Sequence, residues 1–145
     1  MNATSRPKKR KQQYTLDEAN AMLPLLRAIL RDVTTLANDL RDRYERIVRL
    51  QQAKGLDKAH EEEVQQLLGE FERGQEKMHE YELELEKLDV ELKDYYTGLI
   101  DFRSMRDGKE VYLCWRLGEP EIAHWHELNA GFSGRKKLEE NVLNG

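Results

Sequence analysis

Two long stretches of the chain repeat apolar residues at intervals of three and four. The first seam consists of Leu16, Ala19, Leu23, Leu26, Leu30, Val33, Ala37, Leu40, Tyr44 and Ile47. The second consists of Val64, Leu67, Phe71, Gly74, Met78, Tyr81, Leu85, Leu88, Leu92 and Tyr95. This spacing is typical of helices that pack along a common seam. It predicts helices over 14–53 and 57–96, folded back as an antiparallel hairpin (a coiled coil), with Gly74 at a packing gap or a close approach.

Local signals mark where these helices start, break and end. Thr15 followed three residues later by Glu18 predicts a capping box. Pro24 lacks the N–H that a helix needs, so we expect a kink there, or a short helix followed by a longer one. Gly55 suits the position after a helix C-terminus, and Asp57 suits the next N-cap.

The period changes after residue 98, where apolar residues begin to alternate as in strands. The segments LIDF and EVYLCWR flank Asp107-Gly108, a strong signal for a two-residue hairpin turn. A further turn around residues 118–120 leads to the segment IAHWHEL. We therefore predict an α+β protein, mainly α: one domain over 14–138, in which 98–138 form a three-stranded antiparallel sheet and a closing loop. Residues 1–13 are expected to be a disordered basic arm, and 139–145 a tail.

The face that each side chain takes depends on the length of the second turn. For a regular turn with an even number of residues, His124 and His126 lie on one face of the sheet. Cys114 then lies on the other face, together with Asp101 and Trp125. We therefore expect the two histidines not to meet the cysteine.

The pair His124 and His126 is the strongest candidate for chemistry. Alternate strand residues place both imidazoles on one side, about 7 Å apart, as when a strand supplies two ligands to zinc, manganese or iron. Glu119 is the preferred third ligand, and an open fourth position would make a hydrolytic or a redox site. Other carboxylates could replace it: Asp101, Glu121 and Glu127. In the alternative interpretation the histidines bond to a glutamate or the backbone.

Two further positions have both a chemical and a structural interpretation. Cys114 stands between a leucine and a tryptophan, which favours a buried apolar side chain over a nucleophile. Arg135 closes the segment GFSGR, whose backbone N–H groups could hold an anion. The same segment could be a plain turn anchored by Phe132.

Charge and composition narrow the function classes. Five of the 24 basic residues lie in the first eleven positions, so the remaining 19 face 28 acidic residues, which makes a poor general nucleic-acid binder. Contact with nucleic acid is expected only through residues 6–11. No secretory signal or membrane span is recognisable, and one cysteine excludes an internal disulfide, so we expect a soluble, cytoplasmic protein.

Apolar positions beside the two seams exceed what one partner helix covers. Either the C-terminal segment or a second copy of the hairpin is needed to bury them. The leading hypothesis is therefore a non-enzymatic interaction protein that forms a homodimer or binds another coiled coil. A metal-dependent enzyme and nucleic-acid contact through the arm are the alternatives.

The motifs TLDEANAMLP, GLIDF, EVYLCWRLGEPEIAHWHEL and GFSGRKKL resemble a bacterial family known only as a domain of unknown function. The resemblance covers most of 14–138 and implies a shared fold, but no activity, substrate or cofactor. Members of this family often have proline at the position of Lys137, so the chain departs from the pattern there. The matching positions are Asp101, Phe102, Gly108, Val111, Leu113, Cys114, Trp115, Gly118, Glu119, Trp125, His126, Gly131, Phe132, Gly134 and Arg135.

Overall fold

Three helices precede five strands in this computed structural model, which describes residues 12–53, 55 and 57–138. The helices are α1 (Leu16–Ala21), α2 (Leu23–Gln52) and α3 (Lys58–Lys87). The strands are β1 (Val90–Asp94), β2 (Leu99–Arg106), β3 (Lys109–Arg116), β4 (His124–Glu127) and β5 (Lys136–Lys137). A 3₁₀ turn (Phe132–Gly134) lies between β4 and β5. The predicted α+β class is confirmed.

The predicted terminal segments fall mostly outside the described residues. These leave out 1–11, which hold the basic arm, and 139–145, which hold the tail. The last two residues assigned to the arm are described, and both contact the domain. The backbone N–H of Gln12 donates to Asp89 Oδ2 at 2.9 Å, and Gln13 Nε2 lies 3.5 Å from Met105 Sδ.

The start of the helical region follows the predicted signals. Thr15 Oγ1 accepts a hydrogen bond from the Glu18 backbone N–H at 3.1 Å, and Glu18 Oε1 accepts from the Thr15 N–H at 2.9 Å. This capping box opens α1, which ends after one and a half turns. Pro24 lies in the first turn of α2, where its missing N–H has no helical partner to lose. The short helix followed by a longer one is therefore confirmed.

The connection between α2 and α3 also has the predicted caps. Gly55 adopts a φ of +72°, and Asp57 accepts a hydrogen bond from the His60 backbone N–H at 2.9 Å. Farther along the hairpin, a Cβ at position 74 would lie 2.5 Å from Leu40 Cδ2. Gly74 is therefore a point of close helix approach.

Helix α3, which corresponds to the helix predicted over 57–96, is shorter than predicted. It ends at Lys87, and Asp89 turns the chain through a left-handed conformation with φ +57°. The next residues form β1, so the prediction of helix to residue 96 is wrong. Leu88, Leu92 and Tyr95 continue the helical spacing, but Val90 and Leu92 also alternate as in a strand. Because this segment pairs with β2, it forms a strand rather than a helix.

The sheet has five antiparallel strands in the order β1-β2-β3-β4-β5, rather than the three predicted. Asp107 and Gly108 both have positive φ, as the predicted hairpin turn requires. A two-residue turn at this position pairs Phe102 with Leu113 and Ile100 with Trp115, and β2 and β3 form these pairs. The two additional strands lie at the edges, and one of them has only two residues.

One face of the sheet packs on the helices and forms the core with them. Its buried residues include Ile100, Phe102, Leu113 and Trp115, which cluster with apolar residues of α1, α2 and α3. The sequence left two candidates for burying the apolar residues beside the seams, the C-terminal segment and a second copy of the hairpin. At this end of the hairpin the C-terminal segment buries them. Asn20 fixes the arrangement, because its Oδ1 accepts a hydrogen bond at 2.9 Å from a backbone N–H between β3 and β4.

Candidate functional site

The pairing of β3 with β4 brings together residues that we expected to lie apart. Cys114 pairs with His124, and Tyr112 pairs with His126, so all four side chains share a face. Seven residues separate the two strands, an odd number, whereas the prediction assumed an even one. The expected separation of the histidines from the cysteine is therefore wrong. Trp125 lies on the opposite, helix-packed face.

The face turned away from the helices carries two rows of polar side chains, which we call the polar face. The first row crosses all five strands and consists of Glu91, Asp101, Cys114, His124 and Lys137. The second row consists of Arg103, Tyr112 and His126. Cross-strand neighbours in such rows have Cβ atoms about 5 Å apart, so their side chains can interact.

Three of these residues form a buried cluster of metal-ligating groups. Asp101 is 2%, Cys114 0% and His126 2% exposed. Their ligand atoms, a carboxylate oxygen, Sγ and an imidazole nitrogen, all lie within 4.8 Å of one another. In the described part of the chain they are the only such group of three acidic, cysteine or histidine residues.

The hydrogen bonds of His126 define its orientation and its tautomer. Nδ1 lies 2.8 Å from the Glu127 carbonyl oxygen, which can only accept, so Nδ1 carries a hydrogen. Nε2 lies 2.9 Å from Asp101 Oδ2. In a neutral imidazole, Nε2 then directs a lone pair at the carboxylate. That contact is favourable only if a proton or a cation lies between the two atoms.

The other groups of the cluster are poorly satisfied without a cation. Asp101 Oδ1 is buried and forms no well-aligned hydrogen bond among the described residues, although the Cys114 thiol lies near enough to donate to this carboxylate. Burial raises the pKa of Asp101, although His126 opposes the shift. Burial, together with the nearby Asp101 carboxylate, raises the pKa of the Cys114 thiol to about 12. A divalent cation held by Asp101, Cys114 and His126 would reverse both effects, because it would displace the thiol proton and pair with the carboxylate.

The same geometry excludes a cysteine nucleophile activated by His126. Such a site needs an imidazole nitrogen on the thiol and the other on an orienting group. Here one nitrogen of His126 faces a carbonyl and the other a carboxylate. A raised thiol pKa also removes the thiolate that would attack. Cys114 is therefore buried, as predicted, but in a polar layer rather than an apolar one.

Tyr112 forms a wall beside the cluster and was not singled out from the sequence. Its ring lies 5.3 Å from that of His126, and its hydroxyl donates to Glu91 at 2.9 Å. Lys93 lies 3.1 Å from the same glutamate. The tyrosine thus connects the buried cluster to the β1 edge of the polar face.

The ligand set predicted from the sequence, His124, His126 and Glu119, does not form a comparable group in the described structure. Both oxygens of Glu119 instead accept hydrogen bonds from Arg135 Nη2 at 2.6 Å. Burial alone would raise the pKa of Glu119, but these bonds and one from the Arg116 N–H lower it. Burial and Arg135 lower the pKa of His124.

The fold and the site define an α+β protein in which a helical hairpin supports a sheet with a buried Asp–Cys–His cluster. The chain belongs to the family described as "Uncharacterized conserved protein (DUF2203)", which matches residues 12–138. No curated protein and no solved structure shows a significant match. Within the described residues, no helix has both the length and the apolar character needed to cross a membrane.

Proposed function

We propose that the protein binds a divalent transition metal of the zinc class through Asp101, Cys114 and His126. The observation that carries the proposal is the orientation of His126. Its Nδ1 hydrogen is fixed on a backbone carbonyl, and its Nε2 faces a buried carboxylate. Metal-ligating histidines characteristically bond their second nitrogen in this way, which fixes the ligand tautomer.

The donor set favours zinc, or alternatively iron, over manganese. A thiolate with an imidazole suits the softer metals, whereas manganese prefers oxygen ligands. Tetrahedral zinc has bonds of about 2.0 to 2.3 Å, which place its ligand atoms roughly 3.3 to 3.7 Å apart. The present atoms, all within 4.8 Å of one another, reach that geometry by small side-chain rotations.

Burial favours a metal that holds strands together over one that presents water to a substrate. The three donors come from β2, β3 and β4, so one ion would crosslink three neighbouring strands. Three protein donors leave one position of a tetrahedral zinc for a further ligand, and a hydrolytic centre needs that position to be open to solvent. Because all three donors are almost fully inaccessible, we favour the non-enzymatic role.

Metal analysis of the purified protein tests the proposal. We expect about one zinc per chain after reconstitution and dialysis, and loss of that metal in His126→Ala and in Cys114→Ala. His79→Ala is the matched control, because that histidine is exposed on α3. Cobalt(II) substitution should give the intense near-ultraviolet thiolate band only when Cys114 is present. Retention of stoichiometric metal by both ligand variants would disprove the site.

Self-association through the hairpin is the second candidate function, with a second copy of the chain as the partner. A groove of about 440 Å³ lies along α2 and α3, lined mainly by apolar and aromatic residues that include Tyr44, Phe71 and Tyr96. Tyr44 and Phe71 are positions of the two seams, so a second hairpin offers the same groove in return. Sedimentation equilibrium should show a dimer that Tyr44→Glu dissociates. A wild-type monomer at tens of micromolar excludes this function.

A further inference from the structure

The end of the polar face near Arg135 concentrates positive charge in a chain that is acidic overall. Arg116, Arg135 and Lys137 lie there, whereas the whole chain carries −4. Among the described residues, Glu119 is the only carboxylate that forms an ion pair with any of these three cations. Arg116 and Lys137 thus form no ion pair within the described structure, and His124 adds an imidazole at this end.

Arg135 is fixed in place and still has donor capacity. Its side chain is 10% exposed, and Nη2 serves both oxygens of Glu119. Its Nε is buried and has no acceptor within the described structure, and His124 Nδ1 is likewise buried without a partner. A buried donor without an acceptor costs about 1 to 3 kcal/mol, so the site favours a ligand that accepts hydrogen bonds.

Phe132 provides an accessible wall at this position. The guanidinium of Arg116 lies 5.3 Å from its ring centre, and that of Arg135 lies 5.0 Å away. Phe132 is 42% exposed, so a ligand can reach the ring from solvent. The backbone N–H groups of Gly134 and Arg135 already bond to the carbonyls of Gly131 and Phe132. These two loop N–H groups are therefore engaged, unlike the side-chain Nε donor of Arg135.

We propose that Arg135, with Arg116 and Lys137, binds a small oxyanion of the phosphate or carboxylate class beside Phe132. The guanidinium of Arg116 can present two parallel N–H donors to such an anion, whereas Arg135, whose Nη2 already serves Glu119, offers its Nε as a single donor held in place by burial. The anion neutralises the local excess of positive charge and supplies the missing acceptor. None of these three residues is a donor to the metal, so the anion site goes beyond the metal site.

Calorimetric titration of the purified full-length protein with inorganic phosphate, and separately with acetate, tests this proposal. The wild type should bind at least one of the two anions. The anion that binds more tightly shows whether the natural ligand is a phosphate or a carboxylate. Arg135→Gln should weaken binding at least tenfold. Lys137→Gln should weaken it about threefold, and added sodium chloride should weaken wild-type binding. Arg135→Gln could lose binding because it disturbs the C-terminal segment. Lys137 is exposed, so Lys137→Gln should leave the fold intact and tests the charge alone.

Arg46→Gln is the matched control, because this exposed arginine of α2 pairs with Glu63 on the neighbouring helix. It should bind the anion as the wild type does. Wild-type binding of neither anion, or equal weakening by Arg46→Gln and Lys137→Gln, overturns the proposal. Loss of binding in Asp101→Asn with retention in Arg135→Gln would place the anion on the metal. That result overturns the anion site and leaves the metal site standing.

Discussion

Zinc should stabilise the wild-type protein strongly and the His126→Ala variant hardly at all. At free zinc 100 times the dissociation constant, binding to the folded state alone adds about 2.7 kcal/mol. For a chain of this size, 1 kcal/mol corresponds to about 4 °C in Tm, so the wild type should gain about 11 °C. The gain requires all three donors, since the cluster described here has no fourth protein ligand in reach.

Removal of His126 leaves two donors, and we expect the affinity for zinc to fall by at least about 100-fold, the upper end of the loss caused by removing only an outer-shell partner of a ligand. At the same zinc concentration the gain then falls to no more than about 0.4 kcal/mol, or roughly 2 °C. Differential scanning fluorimetry measures the Tm of each variant with and without zinc. Because the shift is taken within one variant, a lower Tm of the metal-free variant does not affect the comparison. His79→Ala should keep the full wild-type shift. An equal zinc shift in the wild type and in His126→Ala would refute the reasoning.

Three further predictions concern stability. Gly98→Ala should cost about 3 kcal/mol in urea unfolding, since φ is +73° and a Cβ would lie 2.9 Å from a leucine side chain. Gly108→Ala, with similar φ but open space, should cost only about 1 to 2 kcal/mol, and equal losses would contradict the packing argument. Asn20→Ala should cost about 1 to 3 kcal/mol, because a backbone N–H loses its acceptor; an unchanged urea midpoint would exclude this. The Tyr95 hydroxyl donates a hydrogen bond to Glu82, and this bond raises the pKa of Tyr95 to about 12, so stability should be lost as the pH rises from 10 to 12. Over that range the urea midpoint should fall less steeply in Tyr95→Phe than in the wild type. Identical slopes would contradict this assignment.

The features that the sequence predicts well depend on residues close together in the chain. The capping box at Thr15 and the turn at Asp107 each involve groups within three residues of one another, so local chemistry decides them. Strand β1 is different. Leu88, Leu92 and Tyr95 continue the helical seam, whereas Val90 and Leu92 alternate as in a strand, and the choice between the two depends on pairing with β2.

The composition of the candidate site depends on long-range contacts. Asp101, Cys114 and His126 were all recognised as candidates, but a single residue in the β3–β4 connection decides whether they share a face. That connection is held by Trp115 Nε1, which donates to the Glu119 carbonyl at 3.1 Å, and by the contact with Asn20. The second contact joins residues about a hundred positions apart, which no local pattern specifies.

Packing alone does not account for the polar face. A buried carboxylate and imidazole must be desolvated, and apolar residues of similar volume are often equally or more stabilising at such positions. Here one oxygen of the buried carboxylate forms no well-aligned hydrogen bond, and its neighbour is a weak thiol donor that burial keeps protonated. A cation bound to the three groups would reduce these costs, because it would pair with the carboxylate and replace the thiol proton. The physical cost of the metal-free cluster is therefore itself an argument that it exists to bind a ligand.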